Sequence, residues 1–198
     1  MKRDFFPVVI ICFLLACGSG SVEIQRQFEV AKTGTISLQL TDFPLAGNEV
    51  SKVLVSITRI EAHSAASGWF TGINYDPPRI FDLLELQNGN TAELGGFNLE
   101  VGQYTQIRIH VSEDNQIEVD EGSGPMLKPL QVPSGPQTGI KLVNSFTVTE
   151  DGLTVMLLDF DASKSVVKAG SKYLLKPIIR VISVVTCVFS PKFTTEWR

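Results

Sequence analysis

The chain is poor in the residues that most often carry chemistry. Its 198 residues include three cysteines, Cys12, Cys17 and Cys187, and two histidines, His63 and His110. Cys12 and Cys17 fall within and at the end of an N-terminal apolar run, which leaves Cys187 without a partner. A disulfide framework and a cysteine zinc site are thereby excluded. Neither histidine has a neighbouring set of acidic or thiol ligands at metal spacing, and no metal is expected. No nucleophile elbow, phosphate-cradling glycine loop or Cys–His pairing is present, so no catalytic residue and no cofactor are expected. A surplus of basic charge is lacking too. The formal net charge is −4 at pH 7, which makes nucleic acid an unfavourable partner. Apolar runs long enough to cross a bilayer as a helix, about 20 residues, are also missing.

What is there begins with an address. Lys2 and Arg3 precede an apolar stretch from Phe5 to Ala16, and small residues close it. This is the pattern of a secretory signal peptide, here residues 1–16. The closing Leu14-Leu15-Ala16-Cys17, followed by Gly18 and Ser19, resembles the bacterial lipobox, in which the cysteine sulfur is lipidated and becomes residue one of the mature protein. The alternative is an ordinary signal that happens to contain a cysteine. Lipidation of Cys17 implies a membrane anchor in the cell envelope, at the outer membrane in a Gram-negative cell. Two or three acyl chains, at about 0.8 kcal/mol per buried methylene, hold durably where one does not. Residues 17–33 then read as a tether, residues 34–183 as the domain and residues 184–198 as a C-terminal tail.

Alternation of apolar and polar residues dominates the domain. Ile36, Leu38 and Leu40 mark a first strand with one buried face. Val53, Val55 and Ile57 mark a second, whose phase then slips to Ile60 and Ala62. Such a slip requires a bulge near Thr58-Arg59. Trp69-Phe70 reads as a short strand, as does Phe81 to Leu86. Ile107, Ile109 and Val111 alternate with Arg108 and His110, which places His110 toward solvent. The acidic run from Glu113 to Glu121 reads as a solvated hairpin, with weak calcium binding as the alternative. Glu150-Asp151-Gly152 separates Phe146–Val148 from Leu153–Leu157, a hairpin signal. The last long strand runs from Tyr173 to about Val185, with Pro177 suited to an edge or bulge. Short strands, frequent turn signals and scarcely a helix predict an all-β, antiparallel β-sandwich of immunoglobulin or transthyretin type with one short helical turn.

In that architecture Gly102-Gln103-Tyr104 suits a tyrosine corner, with the Tyr104 hydroxyl bonded back to upstream backbone and Gly102 supplying a positive φ. The alternative is a ligand contact. With this motif a set is complete. Gly34–Pro44, Gly102–Arg108, Val132–Leu142, Leu158–Ser165 and Lys176–Arg180 resemble, in that order, the domain of unknown function 4382 family of bacterial and archaeal lipoproteins. The resemblance covers about residues 34–183. It implies a secreted, β-rich, anchored domain and no particular activity.

Two groups of residues stand out as sites. Asp159, Asp161 and Ser163 alternate like the first oxygens of a calcium loop, but Lys164 and Gly170 stand where that loop wants glycine and glutamate. A glycosidase pair is disfavoured because two residues of one strand cannot flank a bond from opposite sides. The preferred reading is architectural, with Asp161 as N-cap of a helical turn and Asp159 bonded to backbone or paired with Lys141 or Arg108. Trp69, Phe70 and Tyr75 lie close in sequence and, exposed, would offer a platform for sugar rings. Burial in the core is the expectation. The chain is accordingly expected to be a non-catalytic, monomeric, extracytoplasmic lipoprotein domain that meets a protein partner in the envelope. A glycan- or calcium-binding module is the alternative, and an enzyme with an unfamiliar site the second. For Ile178 to Phe189, continuation of the last strand in its own sheet is preferred over an unpaired assembly edge.

Overall fold

The computed structural model describes residues 31–42, 49–133 and 139–188. The signal, Cys17, nearly all of the tether and residues 189–198 lie outside the described residues.

Twelve strands form two mixed sheets that face one another as a sandwich, not a closed barrel. The smaller sheet has the order β12 (Ile179–Val188), β9 (Gly152–Phe160), β1 (Thr33–Thr41), β4 (Ala92–Glu100). The larger has the order β10 (Val166–Ala169), β11 (Lys172–Leu175), β7 (Pro125–Gln131), β6 (Gln116–Asp120), β2 (Val50–Ser64), β5 (Gly102–Val111), β8 (Ile140–Val148), with β3 (Gly68–Asp82) paired to β2. Most pairs are antiparallel, but β1–β9 and β11–β7 are parallel.

The alternation builds the core as expected. Ile36, Leu38, Leu40, Leu158 and Phe160 of the smaller sheet face Val53, Val55, Ile57 and Ile109 of the larger, all fully buried. Each such side chain contributes about 1.5–3 kcal/mol of transfer free energy. The register of β2 breaks between Ile57 and Arg59 against both β3 and β5. This is the bulge that the phase slip requires. Beyond it Ile60 and Ala62 point inward, and Arg59, Glu61 and His63 are turned to the outer face.

The expected helical turn, α1 (Ala162–Ser165), follows Asp161 as its N-cap, and a second, 3-10 turn at Leu83–Leu86 replaces the strand expected there. The tyrosine corner is also present. Tyr104 is buried, and its hydroxyl donates to the Glu100 carbonyl at 3.0 Å, while Gly102 opens β5 with φ 157°, near the extended limit.

Four expectations about connection are corrected. Glu150-Asp151-Gly152 does not close a hairpin, because β8 pairs with β5 and β9 with β1 and β12. The turn instead carries the chain across the sandwich, tied to the start of β1 by Asp151 N–H to Thr33 O at 2.9 Å. The acidic run is not a hairpin either, since β5 and β6 both pair with β2. Asn115 spans the break between them. Its Oδ1 accepts from Ser56 N–H at 2.9 Å and its Nδ2 donates to Ser112 O at 2.7 Å. Trp69-Phe70 belongs to a fifteen-residue strand rather than a short one. Lastly, the strand expected from Tyr173 to Val185 is two strands in different sheets, β11 and β12, divided at Lys176-Pro177. A prolyl nitrogen cannot donate to a ladder, and the chain turns there against Ser165, whose Oγ accepts from Ile178 N–H at 2.9 Å.

Candidate functional site

Of the aspartates first singled out, Asp161 caps α1. Asp161 is 1% exposed, and both its oxygens are engaged. Oδ1 accepts from Ser163 Oγ at 2.6 Å and from Lys164 N–H at 3.1 Å. Oδ2 accepts from Lys164 Nζ at 2.5 Å and lies 3.5 Å from Arg180 Nη2. Burial pushes its pKa upward, but the bonds from Lys164 and Ser163 outweigh this and hold it below the usual carboxylate range. Asp159 pairs in register with Arg180 and Thr41, in the smaller sheet, whereas Lys141 and Arg108 belong to the larger. The third carboxylate of this end is Asp42. Its Oδ1 accepts from Ala162 N–H at 2.8 Å and its Oδ2 from Gln87 Nε2 at 3.1 Å. Burial, with Asp159 and Asp161 nearby, raises its pKa to about 6.

The aromatic trio does not form one platform, and two of its members are not core. Trp69 and Phe70 are 39% and 49% exposed, against the expectation of burial. They are consecutive in a strand and so point to opposite faces. Trp69 stands on the outer face beside His63, ring centroids 4.9 Å apart. Phe70 lies on the other side, stacked on Phe97 at 6.4 Å. Tyr75 is half-buried and donates its hydroxyl to the Leu94 carbonyl. Phe70 and Trp69 sit on β3, which among the described residues has a partner strand on one side only, and this leaves them uncovered by the core.

The outer face of the larger sheet holds the densest polar constellation. Glu61 is its centre. His110 Nε2 lies 2.8 Å from Glu61 Oε2, Arg59 Nε lies 3.2 Å from Oε1, and Arg108 Nη1 lies 3.7 Å from Oε2. The Arg108 guanidinium carbon also lies over Trp69, 3.8 Å from the ring centroid. Across the strands Arg108 is registered with Glu61 on one side and with exposed Lys141 on the other. Gly139, at φ 64°, packs on this cluster so tightly that a Cβ there would lie 2.7 Å from Arg108 Cγ and 2.9 Å from His110 Cε1.

His110 is therefore a correction as well. It points away from the core, as alternation demands, yet it is 4% exposed because Gly139 and the Arg59–Glu61 pair cover it. Sequence reasoning named Arg108 and Lys141 but missed Arg59 and Glu61. The signal was available in the bulge, which aligns residues 59, 61 and 63 with 108 and 110 on one face.

Pockets are small by comparison. A cleft of about 190 Å³ lies between Val50, Val119, Val166, Lys168 and Tyr173. At its rim Glu121 accepts from Lys168 Nζ and the Tyr173 hydroxyl, both at 3.0 Å, and from Lys128 Nζ. Those three bonds pull its pKa down to about 2. The arrangement pins the β10–β11 hairpin to the β6–β7 turn.

The family model described as Domain of unknown function (DUF4382) matches residues 33–177. That is more than half of the chain, and the protein belongs to this family. The match takes in β1 to β11 and ends before β12. No curated protein and no solved structure matches the chain.

Proposed function

We propose that this member of the family is a lipid-anchored, extracytoplasmic, non-catalytic domain that joins an extended segment of another envelope protein to the free edge of β12. One observation carries the reading. Among the described residues β12 pairs with β9 alone and forms the border of the smaller sheet. From Val181 to Val188 it has no charged residue, and Ile182, Val184, Val185 and Val188 are 36–61% exposed. Proteins ordinarily blunt such an edge with charge, proline or a covering element. An unblunted edge of this length is the substrate of strand addition, in which backbone bonds supply affinity and alternate side chains supply selectivity. The strand thus continues its own sheet and at the same time leaves an edge open. Anchoring through Cys17, at the cell envelope, supports the reading by holding the domain close to membrane-bound partners.

Cys187 is exposed on β12 and supplies the test. A thiol-directed photocrosslinker is attached there in membranes carrying the full chain. The expected result is an adduct with one envelope protein that disappears in Val184→Lys, which places a charge on the edge. An adduct unaffected by Val184→Lys, an adduct with a second copy of the chain, or no adduct defeats the proposal.

The second reading, a glycan-binding module, is favoured by a different observation: the exposed Trp69 beside Arg108 on the outer face of the larger sheet.

A further inference from the structure

The outer face of the larger sheet gathers more positive charge than its one carboxylate balances. Arg108 and Lys141 are registered directly opposite one another on neighbouring antiparallel strands, an arrangement in which like charges repel. Arg59 stands across from His110 on the same face. Glu61 is the carboxylate serving this group, and it already meets two guanidiniums and an imidazole. The Arg108 Nε atom is buried with no hydrogen-bond partner among the described residues. Three fixed cations against one carboxylate make a positive surface on a chain whose formal charge is −4.

From this we infer that the outer face of β2, β5 and β8 is a binding site for an acidic saccharide, its carboxylates held by Arg108, Lys141 and Arg59 and one sugar ring lying against Trp69. The proposal deepens the glycan reading above and rests on it. It is independent of the strand edge of β12. Charge sets the sign of the ligand. An anion placed over Arg108 and Lys141 relieves their repulsion, and a planar guanidinium can hold a carboxylate by two parallel bonds. The Arg108 side chain is fixed for that task, because the Trp69 indole lies under its guanidinium and Gly139 closes on its methylenes. A side chain already ordered loses less entropy on binding.

The shape of the surface selects saccharide over acidic peptide. β2, β5 and β8 expose a sheet face here, and the backbone groups of β2 and β5 are paired on both sides. β8 and β3 border the sheet, but Arg59 and Arg108 stand on β2 and β5, where a peptide would find no free strand edge. A chain of rings with repeated carboxylates needs none. It presents apolar C–H faces to an indole and charges to a row of cations, and Trp69 is 39% exposed for the former.

The experiment titrates the full-length protein in detergent with three probes: a galacturonate tetramer, the matching neutral galactose tetramer, and a tetraglutamate peptide. Binding is read by calorimetry at 50 and about 200 mM salt, since an ionic contribution must weaken with screening. The expected result is saturable binding of tetragalacturonate, at least about tenfold tighter than the neutral sugar and weaker in higher salt. Lys141→Gln, on an exposed side chain, should weaken it several-fold with the thermal midpoint unchanged. Arg108→Gln should abolish it, and Lys141→Gln keeps the test valid should Arg108→Gln misfold. Galacturonate and galactose bound equally would leave a glycan module and overturn the anionic site. Tetraglutamate bound as tightly as tetragalacturonate would replace the saccharide with an acidic protein. Failure of both sugars to bind would remove the glycan reading altogether, as indifference to Lys141→Gln would remove the site.

Discussion

The carboxylate of Asp42 and the amide of Ala162 are 2.8 Å apart although 120 residues separate them in the chain. The bond joins the end of β1 to the first residue of α1, so the first and fourth motifs of the family pattern meet at one point. The same carboxyl group carries a penalty. Its folded pKa is about 6 against an ordinary 3.8, and a raised carboxyl pKa stabilises the fold when protonated. The contribution is complete below about pH 4 and is lost as pH rises through 6. At neutral pH the loss amounts to as much as about 3 kcal/mol, at 1.36 kcal/mol per unit.

Asp42→Asn keeps an oxygen for Ala162 N–H and removes the ionisation. The thermal midpoint of this variant should exceed that of the parent at pH 7.5 and match it near pH 3.5. Thermal denaturation across that range is the measurement. A variant destabilised equally at both pH values would show that the charge at Asp42 is not what the fold works against.

Asp161 behaves in the opposite sense. Its lowered pKa means that its contribution is present above about pH 4 and is lost on acidification. Asp161→Ala should cost at least about 0.5–2 kcal/mol, the usual range for a lost cap, because Lys164 and Arg180 also lose their partner. Chemical denaturation should give the same shift with calcium or with chelator. A wild-type midpoint raised by calcium, and an Asp161→Ala midpoint indifferent to it, would restore a cation site.

Asn115→Ala should be among the more damaging single changes on the larger sheet. It leaves the buried Ser56 N–H and Ser112 O without the partners that Asn115 supplies, each worth about 1–3 kcal/mol when stranded. Equilibrium unfolding gives the number. A cost below about 0.5 kcal/mol would mean that water or the neighbouring backbone takes over both bonds.

Cys17→Ser tests the anchor apart from the fold. The variant should leave the detergent phase in a phase-partitioning assay, or accumulate with its leader attached, while the domain keeps its unfolding midpoint. Continued partitioning of a processed Cys17→Ser protein would place the attachment elsewhere.

Strand positions and the inward faces were legible because period-two alternation is set by geometry alone. Ile36, Leu38 and Leu40 could point nowhere else, and the slip at Thr58-Arg59 had one physical meaning. Partnership was not legible in the same way. Two amphipathic strands joined by three residues bury the same side chains whether they lie side by side or face one another across a core. Phe146–Val148 and Leu153–Leu157 therefore look alike as a hairpin and as a crossing. The cap at Asp161 was readable from local chemistry, as was the corner at Tyr104. The cluster around Glu61 was hidden, because it depends on register between strands that are about fifty residues apart. Trp69 was misjudged since burial follows from neighbours, and β3 has none on its outer side.

The parallel pairing of β1 with β9 has a consequence in time. The first strand to be synthesised lies between β4 and β9, and β9 in turn waits for β12. A chain delivered N-terminus first can pair β1 with β4 soon after residue 100, but the other side of β1 stays open until more than fifty further residues have arrived. Closing that gap carries the loop entropy of the whole intervening sheet, and folds dominated by such separations are slow. The strand that completes the sheet, uncharged from Val181 onward, is thus the last described strand to be made, and until then β9 lacks its partner. Under the anchor proposed at Cys17, the chain would pass that interval tethered to the membrane.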